Sequence, residues 1–516
     1  MKLLVSIFTS VLLLSCSNVA QNVEGDKINN RAIPQHKKDS IPKEKEPLQV
    51  KAIQLPLDSI FISLDTNFKN KTVLLPKGFK AKIIFKEKDN VVVNDSVSAP
   101  AKGNHDMLAF IPESSTKGAL FVSHELKTSN AILGDGGGAT MFDVEKKNGA
   151  WDVVSSYHHV DFSTVRGTDR NCGGSVAPNG MIYTCEEHQG RSNAYFYRKG
   201  KGHLDTTDVG NLKFHENIGY IVEVDPKTRK ATQKIYAMGC YFHEDLEFME
   251  DRKTVFLSDD KEPGVWFKFI ADTKDDYSKG QLYAYRQSED GETGNWITLP
   301  RDTASMIRIR DIAIEMGASV FMRHEWIARQ GNKIYIAETG HDHSDWTKPM
   351  AKGAVPAKHY RDNLNVEGNI YEDVYGRILV FDVEINKMSV LLEGGVSTDG
   401  ATVFSNPDCI TITNQGGQDY LVICEDINKN NKGRVPKHAQ KKNHWYNELY
   451  FLDLSIEKPT VNDLARFAIA PMGAEFTGAI FTEDNKTMFL NVQHPNWSNG
   501  KPYNRSSTIA ITGWDK

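Results

Sequence analysis

The segment from Arg166 to His188 contains the side chains of this chain that are best suited to metal binding or catalysis. Cys172 lies on a glycine-rich stretch, and Glu186 and Glu187 follow one Asn-Gly turn later at the end of an apolar run. A thiolate with carboxylates suits iron or zinc, whereas carboxylates alone suit calcium or magnesium. A disulfide between Cys172 and Cys185, or two buried core thiols, would explain the cysteines equally well. The segment therefore indicates a metal site and leaves those two alternatives open.

Other acids follow short apolar runs elsewhere in the chain. In order, they occur in His243-Glu244-Asp245, Asp259-Asp260, Arg323-His324-Glu325, Asp408, Glu425-Asp426 and Glu475. Taken singly, each acid is best explained as a solvated turn residue. In a β-propeller, however, equivalent strand ends converge on a central channel, so that acids far apart in the sequence can meet in one site. Their recurrence beside apolar runs favours such a shared site.

The elements that must position these acids are short strands. From about residue 56 onward, apolar runs such as Thr254-Val255-Phe256-Leu257 and Asp419-Tyr420-Leu421-Val422-Ile423 alternate with turn signals such as Asn179-Gly180, and long amphipathic helical patterns are scarce. About 460 residues divide into about six blades of four strands. We therefore predict that residues 56–516 form an all-β, six-bladed β-propeller with inserted loops and short helices. A chain of several β-sandwiches is the alternative.

The amino terminus predicts export. Met1 and Lys2 precede an apolar or small-residue run over 3–14, which is shorter than the ~20 residues of a transmembrane helix. The run ends in Leu13-Leu14-Ser15-Cys16, which resembles a lipobox and predicts a lipoprotein signal peptide over 1–16 with a lipid on Cys16. An ordinary signal peptide with an incidental cysteine is the alternative. Residues 17–55 are polar and charged, typical of a flexible tether. We expect an exported protein, held to a bacterial membrane by lipid alone, in the periplasm or at the cell surface.

Composition narrows the function classes further. Lys+Arg 62 and Asp+Glu 67 give a formal charge of −5, which provides no basic field for binding nucleic acid. Apart from Cys16, five cysteines remain, so that full disulfide pairing is impossible and at least one thiol stays unpaired. The nucleophile elbow, P-loop and dinucleotide-binding patterns are absent from the sequence in a strand-to-helix context, which argues against serine hydrolases and nucleotide-binding folds.

Several motifs together resemble the PhoX-type alkaline phosphatases, a family of exported bacterial six-bladed propellers. The resemblance starts at Asn171-Cys172-Gly173-Gly174 running on to Thr184-Cys185-Glu186-Glu187. It covers residues ~110 to 500 in consistent order. The further motifs are Phe242-His243-Glu244, Ser258-Asp259-Asp260, Arg323-His324-Glu325-Trp326-Ile327, Asn406-Pro407-Asp408, Cys424-Glu425-Asp426, Gly473-Ala474-Glu475-Phe476-Thr477-Gly478 and Asn491-Val492-Gln493-His494-Pro495.

This resemblance implies a cluster of two irons and calcium ions in the propeller channel that hydrolyses phosphate monoesters. Cys172 would be the thiolate ligand of iron. Arg323 would bind the phosphate oxygens, and Glu244 would act with Cys172 and Arg323 in catalysis. The resemblance implies carboxylate ligands at Glu187, Glu244, Glu325, Asp408, Glu425 and Glu475. We expect a monomer that acts on small phosphorylated substrates.

Some positions depart from the family pattern. His324 stands after Arg323 where proline is common, and Cys409 follows Asp408 where asparagine is expected. Family members typically leave the cytoplasm folded through the twin-arginine route, whereas this chain resembles a Sec-exported lipoprotein. These departures support a second hypothesis, a catalytically inactive, calcium-stabilised propeller that serves as a surface binding module. A lactonase or phytase on a calcium propeller would give Cys172 no role.

Overall fold

The computed structural model describes residues 57–514 apart from 68, 128–129, 135, 191–205, 341–352, 354, 362–374 and 429–444. The predicted signal peptide over 1–16, its lipidation residue Cys16 and the tether over 17–55 lie outside the described residues. Within the described ranges, no helix is both long enough and apolar enough to cross a membrane.

Most described strands belong to six mainly antiparallel sheets, which we call blades 1 to 6. Blade 1 contains His105–Ser114, Lys117–His124, Ala139–Lys147, Ala150–Val153, Tyr157–His159, Asn90–Asn94 and Val97–Pro100; blade 2 contains Asn171–Val176, Ile182–Glu186, Ile221–Asp225 and Lys230–Lys234; blade 3 contains His243–Phe248, Thr254–Asp259, Phe267–Thr273, Asp276–Gln287 and Gly294–Thr298. Blade 4 contains His324–Gln330, Lys333–Glu338, Arg377–Asp382 and Lys387–Glu393; blade 5 contains Pro407–Gln415, Gln418–Glu425, Glu448–Asp453 and Ala465–Ile469; blade 6 contains Glu475–Phe481, Thr487–Gln493, Ser507–Thr512 and Lys80–Lys86.

The first strand of each of blades 1 to 5, and Glu475–Phe481 of blade 6, form a closed ring. Each lies against the corresponding strand of the next blade, and Glu475–Phe481 lies against His105–Ser114 of blade 1. The ring of strands is closed because blade 6 contains strands from both ends of the folded region. Lys80–Lys86 pairs antiparallel with Ser507–Thr512, and Ile83 lies opposite Ile509. These six ring strands line the central channel, and we call them the inner strands.

The core lies between the faces of neighbouring blades. Leu421, Val422 and Ile423, on the second strand of blade 5, are fully buried in succession. A strand buried on both faces favours such an unbroken apolar run, because each side chain that leaves water contributes about 1.5–3 kcal/mol. The apolar runs recognised in the sequence therefore become the middle strands of the blades.

The remaining elements are short. The minor strands are Asp208–Val209, Leu212–Lys213, Gly264–Val265, Ser319–Phe321, Val355–Pro356, Gly395–Val396 and Val403–Phe404; the α-helices are Leu57–Ile60, Thr303–Met306, Ile309–Glu315 and Lys358–Arg361; the 3-10 turns are Ser163–Val165, Phe214–Glu216, Tyr236–Met238, Val461–Asp463 and Trp497–Asn499. Asp302 caps one helix by accepting a hydrogen bond from the Ser305 amide at 3.0 Å. The predicted six-bladed propeller with inserted loops and short helices is confirmed, and the chain of sandwiches is excluded.

Candidate metal centre

One end of the channel carries the same backbone arrangement in five successive blades. A carbonyl just before each inner strand accepts a hydrogen bond from the amide of the residue that follows the second strand, at 2.8–3.1 Å. The carbonyls belong to Asn104, Arg170, Phe242, Arg323 and Asn406, and the amides belong, in the same order, to Glu125, Glu187, Asp260, Thr339 and Asp426. The arrangement therefore brings two side chains of each blade to the channel mouth, one from the inner strand and one from the residue after the second strand.

A β-bulge directs the inner side chain in several blades. The strand register shifts between His243 and Leu246, between His324 and Ile327, and between Pro407 and Ile410. Glu244, Glu325 and Asp408 each lie within one of these shifts. A bulge adds one residue to a strand and redirects a side chain. The same local irregularity thus recurs at one acid in each of blades 3, 4 and 5.

The positions at the mouth form a ring of donors, which we call the carboxylate ring. Its members, in pairs from blade 1 to blade 6, are Asp106 and Glu125, Cys172 and Glu187, Glu244 and Asp260, Glu325 and Thr339, Asp408 and Asp426, and Glu475 and His494. Most members are carboxylic acids, and no lysine is among them. The arrangement concentrates oxygen donors from all six blades in one place.

Two groups within the ring are close enough to share a cation. Carboxylate oxygens of Glu244, Glu325 and Asp408 lie within 4.8 Å of one another. Ligand atoms of Asp426, Glu475 and His494 form a second group within the same limit, and His494 Nε2 lies 3.0 Å from Glu475 Oε1. The first group comes from three neighbouring blades and the second from blades 5 and 6, which explains why neither is contiguous in the sequence.

The ring concentrates more acidic groups than the described basic side chains around it can neutralise. Burial, followed by repulsion from neighbouring carboxyl groups, raises the pKa values of Asp106, Glu187, Glu244, Glu325, Asp408 and Glu475 well above their usual range. Oδ1 of Asp106 is buried and has no hydrogen-bond partner among the described residues. Buried acids in this state call for cations, and an oxygen-rich donor set suits a hard ion such as calcium. The residues present therefore fit a metal centre.

Arg323 places a positive charge beside the carboxylate ring. Its Nε lies 2.7 Å from Asp260 Oδ1, and its Nη2 lies 2.9 Å from Glu325 Oε1. Burial raises the pKa of Asp260, but the charge and hydrogen bond of Arg323, together with Glu325 and Lys261, outweigh burial and lower this pKa. The backbone of Arg323 is left-handed, with φ 60°, and its amide donates to the Lys261 carbonyl. Side chain and backbone thus hold the guanidinium at the ring.

Cys172 occupies a ring position but directs its thiol toward the backbone. Its Sγ lies 3.1 Å from the His243 carbonyl and 3.5 Å from the Glu244 carbonyl. Burial, followed by the charge of Glu244, raises the pKa of the thiol well above its usual range. The five cysteines from Cys172 onward are all unpaired and buried, so the alternative of a disulfide with Cys185 is excluded.

Glu425 is the one predicted ligand that the structure places outside the ring. Its carboxylate accepts hydrogen bonds from the amides of Ser405 and Glu448, each at 3.0 Å. Because side chains alternate along a strand, the last residue of the strand faces its neighbours within the fold and the following residue, Asp426, reaches the channel. Glu186 behaves like Glu425, since it accepts hydrogen bonds from the Gly219 amide and other neighbours, while Glu187 faces the ring.

Several ring members were not selected from the sequence. They are Asp106, Glu125, Asp260, Thr339, Asp426 and His494. A signal for the first was present, since Asn104-His105-Asp106 repeats the spacing of Arg323-His324-Glu325: a residue with positive φ, a buried histidine and an acid. The others share a simpler signal, because each follows directly on the last residue of a second strand.

Gly173 explains why a glycine follows Cys172. A Cβ atom at this position would lie 2.3 Å from the carbonyl oxygen of Glu244, a distance that no side chain tolerates. Blades 2 and 3 can therefore approach closely only with glycine here. Asp245 completes the contact below the ring, because its carboxylate accepts hydrogen bonds from the amides of Gly174, Leu246 and Ile327. The donors of blades 2, 3 and 4 are thus fixed relative to one another.

Several solved structures are similar to this chain. The structure of Pseudomonas fluorescens PhoX in complex with vanadate, a transition state analogue, matches with 21% identity and a TM-score of 0.67, covering 88% of this chain and 98% of that chain. A Trichoderma reesei enzyme of carbohydrate-active enzyme family AA12 matches with 10% identity and a TM-score of 0.41, covering 87% of this chain and 100% of that chain. The periplasmic gluconolactonase of Pseudomonas aeruginosa matches with 10% identity and a TM-score of 0.32, covering 84% of this chain and 96% of that chain. No curated protein sequence matches.

The family comparison settles the relationship that the motifs suggested. The family model described as alkaline phosphatase PhoX matches residues 148–496, which is more than half of the chain. The matched region includes ring positions of blades 2 to 6. The chain therefore belongs to the PhoX alkaline phosphatase family, and its activity is that of a phosphatase.

Proposed function

We propose that the carboxylate ring is the catalytic centre of a metal-dependent phosphatase that releases phosphate from small phosphate monoesters. The convergence of Glu244, Glu325 and Asp408 beside Arg323 is the observation that carries this proposal. Bound cations would act as Lewis acids toward the phosphoryl oxygens and would activate a water molecule. The protein's own contribution is to hold the ligands, to orient the phosphate and to supply a positive charge.

The two groups of donors suggest how the ligands are shared. Glu244, Glu325 and Asp408 would hold one cation, and Asp426, Glu475 and His494 would hold another. Carboxylate oxygens suit calcium, while the Cys172 thiol and the His494 imidazole suit iron. We infer that both metals are used, two irons with calcium, as the resemblance to the family implies. Glu425 would support the site by holding the backbone at Ser405 and Glu448.

Arg323 would bind the phosphate. The guanidinium is planar and can donate to two oxygen atoms at once, which matches a phosphoryl group. Asp260 and Glu325 fix the plane of the guanidinium before substrate arrives, because each forms an ion pair with a different nitrogen. Asp260 is thus a positioning residue, whereas Arg323 contacts the substrate.

The departures from the family pattern do not remove the ring. The imidazole of His324 is buried and packs against the phenyl group of Phe321, with centroids 4.3 Å apart. Cys409 is buried within the largest apolar cluster. Neither side chain occupies a ring position, so the substitutions alter the surroundings of Glu325 and Asp408 rather than the donors. This favours an active enzyme over a calcium-stabilised binding module.

The place of action follows from the amino-terminal sequence and the family. Members of the PhoX family are generally exported. We infer that the signal peptide over 1–16 directs export, that a lipid on Cys16 anchors the chain to a bacterial membrane, and that the monomeric domain acts on phosphorylated compounds outside the cytoplasm. These inferences rest on the sequence motif.

Metal removal tests the proposed function. Chelation of the purified protein is expected to abolish p-nitrophenyl phosphate turnover, and addition of calcium with iron is expected to restore it, because the protein supplies few cations of its own at the ring. Metal analysis on the same samples identifies the ions. Bound calcium without turnover in the untreated protein would contradict the proposal and support the binding module. Turnover that survives complete metal removal would also contradict it.

Arg323 offers a test of phosphate binding. Changing Arg323 to alanine is expected to lower kcat/KM for p-nitrophenyl phosphate by about 100-fold or more, the equivalent of about 3 kcal/mol of lost transition-state contact. Arg329→Ala is the control, since Arg329 lies on the inner strand that follows Arg323 but pairs with Glu247, at 2.9 Å, away from the ring. Equal kinetics for Arg323→Ala and the natural protein would remove Arg323 from the site.

A further inference from the structure

Arg170 is a buried arginine, and one terminal nitrogen of its guanidinium has no hydrogen-bond partner among the residues that the structure describes. The residue is only 7% exposed. Its Nη1 is buried and has no hydrogen-bond acceptor among the described residues. An arginine side chain stays protonated at any ordinary pH, and a buried charge without a partner is strongly unfavourable. The position therefore leaves a guanidinium nitrogen for an acceptor that the described residues do not provide.

The guanidinium faces the carboxylate ring on the side of blades 1 and 2. Burial raises the pKa values of both Glu125 and Glu187, and the charge of Arg170 acts against this rise at both groups. Glu125 and Glu187 also act on each other, since the charge of Glu125 is one of the causes that raise the pKa of Glu187. Arg170 is thus near two ring members, yet it lies farther from each than the 4.0 Å of an ion pair. A gap separates the cation from the ring carboxylates.

Arg170 and Arg323 occupy equivalent positions two blades apart. Both precede an inner strand with left-handed backbone, φ 44° and 60°. Both offer their carbonyl to the amide that follows the second strand of the blade, Glu187 at 3.1 Å and Thr339 at 3.0 Å. The difference lies in the side chains, because Arg323 forms ion pairs with Asp260 and Glu325, whereas Arg170 forms none with the described carboxylates.

We propose that Arg170 is a second phosphate-binding residue, whose guanidinium donates to the phosphoryl oxygens of the substrate from the blade 2 side of the channel. The proposal rests on the proposed function of the ring as a phosphatase centre. Phosphate is an anion with several acceptor oxygens, and a guanidinium without acceptors matches it directly. Two arginines on separate blades would restrict the rotation of the bound phosphate more than one.

The alternative is that Arg170 only offsets the negative charge of Glu125 and Glu187 at a distance. Arg170→Lys separates the two roles, because lysine keeps the charge but loses the planar, two-pronged donor. If Arg170 binds phosphate, the inhibition constants of inorganic phosphate and vanadate are expected to rise about 10- to 100-fold in Arg170→Lys, with kcat/KM lowered to match. Metal content and melting temperature are expected to stay unchanged.

Arg166→Lys is the matched control, since Arg166 is an exposed arginine four residues earlier in the same segment. It is expected to leave all constants unchanged. Arg170→Ala adds a second measurement, in which added methylguanidinium is expected to restore part of the lost turnover. Unchanged inhibition constants in Arg170→Lys would overturn the proposal, and so would loss of bound metal in that variant without rescue of Arg170→Ala.

Calorimetry with inorganic phosphate distinguishes this proposal from the proposed function. If the natural protein binds phosphate without hydrolysing p-nitrophenyl phosphate, the proposed function fails. Weaker phosphate binding by Arg170→Lys would then still support the role of Arg170. If the natural protein turns over substrate and Arg170→Lys binds phosphate as tightly, the role of Arg170 fails alone.

Discussion

Changing Glu325 to glutamine is expected to lower kcat/KM by about 1000-fold or more and to reduce bound metal. Glu325 has two partners that both require its charge: the group with Glu244 and Asp408, and the Arg323 guanidinium at 2.9 Å. Removing one member of a buried charged set costs about 3–5 kcal/mol, since the others are left without compensation. A loss of about 4 kcal/mol in transition-state stabilisation corresponds to about 1000-fold in rate.

The measurement combines steady-state kinetics with metal analysis of the purified variant. Glu448→Gln is the control, because Glu448 is also a fully buried carboxylate paired with an arginine, Arg466, but belongs to the third strand of blade 5 and not to the ring. It is expected to lower the melting temperature while keeping metal and kcat/KM. If Glu325→Gln keeps full metal and activity, or if Glu448→Gln loses as much activity, then Glu325 is no ligand.

The metal-free protein is expected to lose stability as the pH rises from about 5 to 8. A carboxyl group whose pKa is raised on folding binds a proton that the unfolded chain has released, so that its contribution to the free energy of unfolding falls as pH increases through this range. Burial raises the pKa of Asp259 from 3.8 to about 7. By pH 8 this shift lowers the free energy of unfolding by about 4 kcal/mol relative to its value at acid pH. The raised groups of the ring act in the same direction. Asp260, whose pKa is lowered, loses its contribution only as the pH falls below about 4.

Thermal unfolding of chelated and metal-loaded samples between pH 5 and pH 8 tests this expectation. Cations take the place of the protons at the ring, so the loaded protein is expected to show a much smaller decline. Asp259→Asn serves as the control for the part that metal does not affect, because Asp259 lies outside the ring and accepts a hydrogen bond from the Val265 amide. A chelated protein that becomes more stable with rising pH would contradict the account of a proton-loaded ring.

The blades could be predicted from the sequence because their signals are local. Apolar runs such as residues 254–257 and 419–423 appear as second strands, and the turn signals between runs become hairpins, as at Asn179-Gly180. The number of blades followed from chain length and strand count. The family motifs then placed most of the acids in the right blades, since each motif covers one strand end.

The ring was harder to predict because it depends on side-chain direction. Glu425 and Asp426 are adjacent in the sequence, yet one binds backbone amides and the other joins Glu475 and His494. A shift of one residue reverses the face of a strand, and a bulge such as that at Glu244 can reverse it again. Apolar patterning does not reveal a bulge. Acids at strand ends could therefore be assigned to the channel as a class, but not one by one.

The pairing of Lys80–Lys86 with Ser507–Thr512 also determines the order in which the blades can be completed. During synthesis the early blades can form in turn, but the sixth sheet stays incomplete until Ser507–Thr512 has been made. Under the proposed function, one cation would be held from blades 3 to 5, and the other would need Glu475 and His494 of blade 6. Capture of that second cation would then be a late event that coincides with closure of the ring of blades, and a chain truncated before His494 would lack this site.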